Sequence, residues 1–238
     1  MATRLVSVVI DARDIRRQAD FWSALLGWPF TSIDADEADV EPPGGPVDLV
    51  FVPVPEPKAA KNRLHLDLSS SSLEDQAAIV ARAEALGARR IDVGQRDVPW
   101  IVLADPEGNE FCVLEPRPEY TDSGPLAAIV VDTTDVTASA AFWTAAAGWD
   151  LARSADAFAS LRHPEKRGPW LEFLPASPKT VKNRVHLDVA PFPDSTTEAE
   201  SNRLHTLGAT PVDIGQHDVS WTVLTDPQGS EFCVLSPR

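Results

Sequence analysis

The sequence repeats itself at an offset of 121 residues, and no other feature limits the fold as much. Phe21-Trp22 returns as Phe142-Trp143, and Gly27-Trp28 as Gly148-Trp149. Lys61-Asn62-Arg63 returns at 182–184, His65-Leu66-Asp67 at 186–188 and Leu86-Gly87-Ala88 at 207–209. Asp97, Trp100 and Asp105-Pro106 have copies at 218, 221 and 226–227, and Glu110-Phe111-Cys112-Val113-Leu114 recurs at 231–235. Only the tract around 40–55 slips, by one residue, as a loop tolerates. A period this long is a whole small domain rather than a solenoid unit. Residues 1–117 therefore read as one domain, 118–124 as a linker carrying Pro, Asp, Ser and Gly, and 125–238 as a second domain. So short a linker predicts that the repeats dock as an intramolecular pseudo-dimer within a monomeric chain.

Inside one repeat, residues 5–11 are apolar and β-branched, and read as a strand. A helix follows from Asp14 to about Leu26, its apolar face made by Ala19, Phe21, Trp22, Leu25 and Leu26 and its end set by Gly27. Short strands are expected near 28–33 and 48–54. The pattern then restarts with a strand from Arg63 to Leu68. Ser72 with Asp75 predicts a capping box, and Ser195 with Glu198 predicts its copy, with Gly87 and Gly208 as the helix stops. Strands near 89–93, 100–104 and 110–115 flank a turn at 105–109. Each repeat is thus βαβββ twice, an α+β pattern in which two tandem domains of paired βαβββ modules form curved, cup-shaped mixed sheets with helices outside.

Composition narrows the partners. Hydrophobic residues make up 43% of the chain, enough for a sizeable core. The net charge of −15 and the lack of a basic patch argue against nucleic acid and against anionic membranes. No apolar run nears the ~20 residues needed to cross a bilayer, and the first residues enter a strand pattern without a signal-like segment, so a cytoplasmic protein is expected. Two cysteines make no disulfide framework.

The Phe-Trp helix ending at Leu-Gly-Trp, the His-Leu-Asp strand and the closing Asp-Pro-x-Gly-Asn-x-Phe turn together resemble the vicinal oxygen chelate superfamily, in particular its actinobacterial glyoxalase-like branch. The superfamily includes glyoxalase I, extradiol dioxygenases, and fosfomycin- and bleomycin-resistance proteins. The resemblance implies the cup-shaped fold over nearly both repeats. It also implies a metal set, in those members that use one: a donor on the first strand, a His on the strand opening the second module, and a Glu on the last strand. The corresponding positions here are Ser7 and Ala128, then His65 and His186, then Cys112 and Cys233. The set is reduced to one His and one Cys per repeat, so no metal cofactor is expected, with a divalent ion kept as the lesser alternative.

Strand parity nominates the rest of the site. His65 shares a face with Asp67, and Glu110 with Cys112, while Leu64, Leu66, Phe111 and Val113 take the opposite face. The cups are thus expected to be lined by His65, Asp67, Glu110 and Cys112, and by His186, Asp188, Glu231 and Cys233. The His and carboxylates are candidate catalytic groups, through general acid/base chemistry; hydrogen-bonded structural His and buried inert Cys are the other reading. Trp100 and Trp221 are candidate stacking residues, and core packing is the alternative. Asp97 and Asp218 are candidate ligand contacts at the cup mouths. Trp170 has no repeat partner and is expected to differentiate the second site. Lys61 to Arg63 either hold a ligand carboxylate or pair with Asp92 or Asp97. Whether a cup draws on one repeat or on both stays open. The function these residues support is binding of a small organic molecule, aromatic or cationic, in the manner of sequestration of a toxic metabolite or antibiotic. The alternative is a glyoxalase-like lyase or isomerase using the His/Asp/Glu cluster.

Overall fold

The computed structural model describes residues 3–216 and 219–238. The first repeat runs β1 (Thr3–Ala12), α1 (Ile15–Leu26), β2 (Phe30–Ile33), β3 (Ala38–Val40), β4 (Asp48–Pro53), β5 (Leu64–Leu68), α2 (Leu73–Ala85), β6 (Arg89–Arg90), β7 (Ile101–Ala104) and β8 (Glu110–Val113). A 3-10 turn at Pro118–Tyr120 leads to the second repeat: β9 (Leu126–Thr133), α3 (Val136–Ala147), β10 (Asp150–Ala155), β11 (Phe158–Arg162), β12 (Trp170–Pro175), β13 (Val185–Pro191), α4 (Thr197–Thr206), β14 (Thr210–Pro211), β15 (Thr222–Thr225) and β16 (Glu231–Val234). No helix among the described residues is long and apolar enough to cross a membrane.

Local chemistry sets the helix ends. Asp14 caps α1 by accepting the Arg17 amide at 2.9 Å, and Gly27 closes it in the left-handed conformation. Ser72 caps α2 as expected, but Asp75 reaches back to the amide of Ser71, one residue before the cap. The copy differs. Thr196, not Ser195, accepts the Ala199 amide and caps α4, while the Ser195 hydroxyl donates to Glu200. The strand at Ala38–Val40 is too short and too acidic in its surroundings to give a period-two signal.

Two eight-stranded sheets result, ordered β14-β15-β16-β13-β1-β4-β3-β2 and β10-β11-β12-β9-β5-β8-β7-β6. Each joins the first module of one repeat to the second module of the other. The seams are antiparallel: β1 pairs with β13, setting Ser7 opposite Asp188 and Val9 opposite His186, and β5 pairs with β9, setting Asp67 opposite Ala128 and His65 opposite Val130. Ion pairs reinforce the seams. Lys61 meets Asp132 at 2.7 Å, its counterpart Lys182 meets Asp11 at 2.5 Å, and Arg184 reaches Glu107 at 2.7 Å. The Lys-Asn-Arg segments therefore pair across the repeats rather than with Asp92 or Asp97, because the seam carries them away from their own 92–97 loops.

Within a repeat, the two modules are held by their helix-side core. Trp22 on α1 packs edge-on against Phe111 on β8 at 5.1 Å between ring centres. Buried Asp105, at the turn before β8, accepts the amides of Glu107 and Asn109 and the side chains of Asn109, Gln18 and Trp22. Asp226 repeats the arrangement with Trp143. This explains why the Phe-Trp helix and the Asp-Pro turn recur together in the sequence: one carboxylate satisfies donors from both modules.

The linker is part of the fold. Tyr120 is only 5% exposed and packs on the hollow face of the second sheet, among Val102, Cys112, Leu114, Ala128, Val130 and Trp170. Its hydroxyl lies 3.2 Å from Glu172, and the Trp170 indole donates to the Glu119 carbonyl.

Two outcomes are expected. Asp105→Ala strands five donors and should cost about 3–5 kcal/mol in urea unfolding, whereas exposed Asp97→Ala should stay within about 0.5 kcal/mol of the parent. Tyr120→Ala should raise maleimide labelling of Cys112 relative to Cys233, within the same molecule, by roughly tenfold as local opening becomes easier; an unchanged ratio by peptide mass analysis contradicts the covering role.

Candidate functional site

Register fixes which side chains share the hollow faces. On the first sheet, Val223, Cys233, Asp188, Ser7 and Asp48 stand side by side across β15, β16, β13, β1 and β4. A second row sets His186, Val9, Val50 and Asp39 abreast. On the second sheet the matching rows are Val102, Cys112, Asp67, Ala128 and Trp170, then His65, Val130, Glu172 and Ser160. The opposite faces carry Leu64, Leu66, Phe111, Val113 and their copies into the helix-packed core. Period-two reading therefore places His, Asp and Cys together in each cup.

The three donors converge. In each cup one ligand atom of His, Asp and Cys lies within 4.8 Å of the other two. His65 Nε2 is 3.4 Å from Asp67 Oδ1, and His186 Nε2 is 3.5 Å from Asp188 Oδ1 and 3.6 Å from Cys233 Sγ. Asp67 and Asp188 are 8% and 7% exposed, yet the Oδ1 atom of each makes no hydrogen bond. Burial pushes the His186 pKa down to about 4, helped by the nearby Lys182 charge. Burial also lifts Asp188 to about 7, against the pull of the Cys233 thiol and the Ser7 hydroxyl. Both thiols are buried and unpaired, and burial beside a carboxylate pushes them well above the ordinary thiol range, so neither is a nucleophile in this state.

The other nominated residues sit farther out. Glu110 is held by Lys58 at 2.6 Å and accepts the Asn62 amide; Glu231 is held by Lys179 and accepts the Asn183 amide. These carboxylates anchor the loops before β5 and β13, and neither belongs to the converging trio. Trp100 is half-buried with the Arg117 guanidinium over its ring, whereas Trp221 is 40% exposed. Asp97 is exposed, and Asp218 lies outside the described residues. Trp170 lines the cup of His65 rather than that of His186, because its module completes the second sheet. There it is 8% exposed, with Arg153 and Arg162 against its ring.

Ser7, the first-strand position named from the sequence, lines the cup, while sequence parity missed Asp48 and Asp39, since their strands join the cup only through the cross-repeat seam. Asp48 occupies the position that Trp170 holds in the other cup. Burial, with Glu41 and Asp39 nearby, lifts its pKa to about 6, while Arg238 opposes. The two cups thus differ in filling: one is packed with an apolar cluster under the linker, the other is lined by Ser7, Asp39, Asp48 and Asp188. The metal set implied by the superfamily does not fit this chain. Its first-strand donor positions are a buried Ser7 opposite Asp188 and a buried Ala128 opposite Asp67, neither of them a strong ligand.

Comparisons with known proteins agree with this architecture. The chain is similar in structure to glyoxalase I from Zea mays, with a TM-score of 0.70 at 16% identity over 99% of this chain and 92% of that one. It is also similar to a putative dioxygenase from Bacillus subtilis subsp. subtilis str. 168, with a TM-score of 0.63 at 11% identity over 100% of this chain and 86% of that one. At those identities the likeness speaks for the fold. No curated protein matches the chain. The glyoxalase-like domain model matches residues 7–114 and again residues 128–235, and the chain belongs to that family, twice in tandem.

Proposed function

We propose that the protein binds a small organic cation with an aromatic portion, in the cup of the first sheet. The observation that carries this reading is the cup's unbalanced charge. The Glu37 charge raises the Asp188 carboxyl, the Asp39 charge raises those of Asp48 and Glu37, and Arg238 opposes the rise at all three. Carboxylates gathered this way raise each other's proton affinity, and a bound cation relieves that repulsion. Trp221, at the end of the strand beside Cys233, offers an exposed indole face to an aromatic or cationic group. The cup of the second sheet is a scaffold in this reading, with Tyr120 occupying the space a ligand would need.

Acid/base catalysis by the His/Asp pair finds less support. A relay needs the base to meet its proton donor and its orienting carboxylate through different ring nitrogens. Here Cys233 and Asp188 both face Nε2 of His186.

The reading predicts that benzyltrimethylammonium quenches tryptophan fluorescence saturably, and that Trp221→Ala and Asp48→Asn each weaken it about tenfold, roughly 1.4 kcal/mol. Trp100→Ala should leave the affinity unchanged. Tighter binding of phenylacetate than of the cation, or equal loss from the Trp100 and Trp221 variants, would sink the proposal.

A further inference from the structure

A cavity of about 420 Å³ lies where the loop before β5 meets the loop before β13, and none of the converging His, Asp and Cys residues of the cups lines it. We infer that this cavity binds a small organic phosphate, held by basic side chains from both repeats.

Charge in the cavity runs against the charge of the chain. Five of the 21 basic residues line it, namely Lys58, Lys61, Arg63, Lys182 and Arg184, against two of the 36 acidic ones, Asp11 and Glu56. Its wall is therefore basic in a protein of net charge −15. No basic run in the sequence marks the place, because the two Lys-Asn-Arg segments stand 121 residues apart and meet only when β5 and β13 come together.

Arg63 is the cation that lacks a counter-ion, and the repeat shows why. Its twin Arg184 donates through Nη1 to the Glu56 carbonyl at 2.8 Å and through Nη2 to the Glu107 carboxylate at 2.7 Å. Arg63 likewise donates through Nη1 to the carbonyl of Ser177, the copy of Glu56. The copy of Glu107, however, is Gln228. Nη2 of Arg63 meets the main-chain carbonyl of Asp132 at 2.9 Å, and its Nε is buried without an acceptor. Among the described residues no carboxylate pairs with Arg63, whereas Lys58, Lys61, Lys182 and Arg184 each have one. A half-buried guanidinium without a counter-ion is costly, and an anion in the cavity restores the balance that Glu107 gives its twin.

Donor geometry selects the anion. Both terminal nitrogens of each guanidinium are committed, so neither offers the planar fork that clamps a carboxylate. What remains are single N–H groups on separate side chains. An ammonium carries three donors, and Lys58 and Lys182 each spend one, on Glu110 and Asp11. Scattered single donors suit a tetrahedral phosphate, whose three terminal oxygens accept from several directions. The organic part has Val54, Val181 and Ile214 to cover, the last two 50% and 37% exposed. The cavity is of small-molecule size, and the overall negative charge repels a polymeric polyanion.

Calorimetric titration of the full chain with phenyl phosphate tests this and needs no cup ligand. Saturable one-to-one binding is expected, with inorganic phosphate and phenylacetate each at least about tenfold weaker. Arg63→Met should weaken phenyl phosphate about tenfold. Gln228→Glu keeps Arg63 and gives it the carboxylate its twin has, and should weaken binding to a similar degree. Gln228 Oε1 already accepts the Thr134 hydroxyl, a bond that a carboxylate retains, so this variant carries the test if Arg63→Met fails to fold. Absence of saturable binding, inorganic phosphate or phenylacetate bound as tightly as phenyl phosphate, or an affinity unchanged in Gln228→Glu overturns the site. Loss of benzyltrimethylammonium binding with phenyl phosphate binding intact counts against the cation site alone.

Discussion

The antiparallel ladder between β1 and β13, with its counterpart between β5 and β9, is the contact on which everything else in this molecule depends. Each repeat supplies two four-stranded half-sheets whose inner edges would otherwise present unpaired amides and carbonyls. Pairing them crosswise buries both edges at once and makes each repeat the completion of the other. The ion pairs at the seam follow from that choice. Lys61 and Lys182 find their carboxylates on the opposite repeat because the ladders bring Asp132 and Asp11 alongside, while Arg184 reaches Glu107 on a turn of the other sheet. Even the composition of the cups is a seam effect, since Ser7 comes to face Asp188 through the ladder alone.

Much of this was legible from residue order. Alternation along His65-Leu66-Asp67 and Glu110-Phe111-Cys112 assigns one face to the core and one to the cup, and the structure keeps those faces. The recurrence of the Phe-Trp helix with the Asp-Pro turn marked a contact before its geometry was known, and Asp105 supplies the reason. What alternation cannot report is which strand becomes a neighbour across a seam. Asp48, Asp39 and the true cup of Trp170 stayed hidden for that reason. Glu110 shows a different limit. Parity put it on the correct face, but an ion pair with Lys58, from a loop without periodic signal, turned it to anchoring.

The two sides of the first cup differ in electrostatic character. Deep in the first sheet, burial holds His186 neutral and raises the Asp188 carboxyl to about 7, so the floor carries less charge than a free carboxylate would bring. On the first-repeat side of the same sheet, Asp48 on β4, Asp39 on β3 and Glu37 just before it add further carboxylates.

Tyr120 has a consequence that reaches beyond packing. Duplicating a unit creates two equivalent hollows, but joining two units takes one junction, and a junction must lie somewhere. Here it lies across one hollow and spares the other. The same junction that joins the two units thereby breaks their symmetry, covering one hollow with Tyr120 while leaving the other without it. In a pair of separate chains with the same sheets, no such inequality would be imposed.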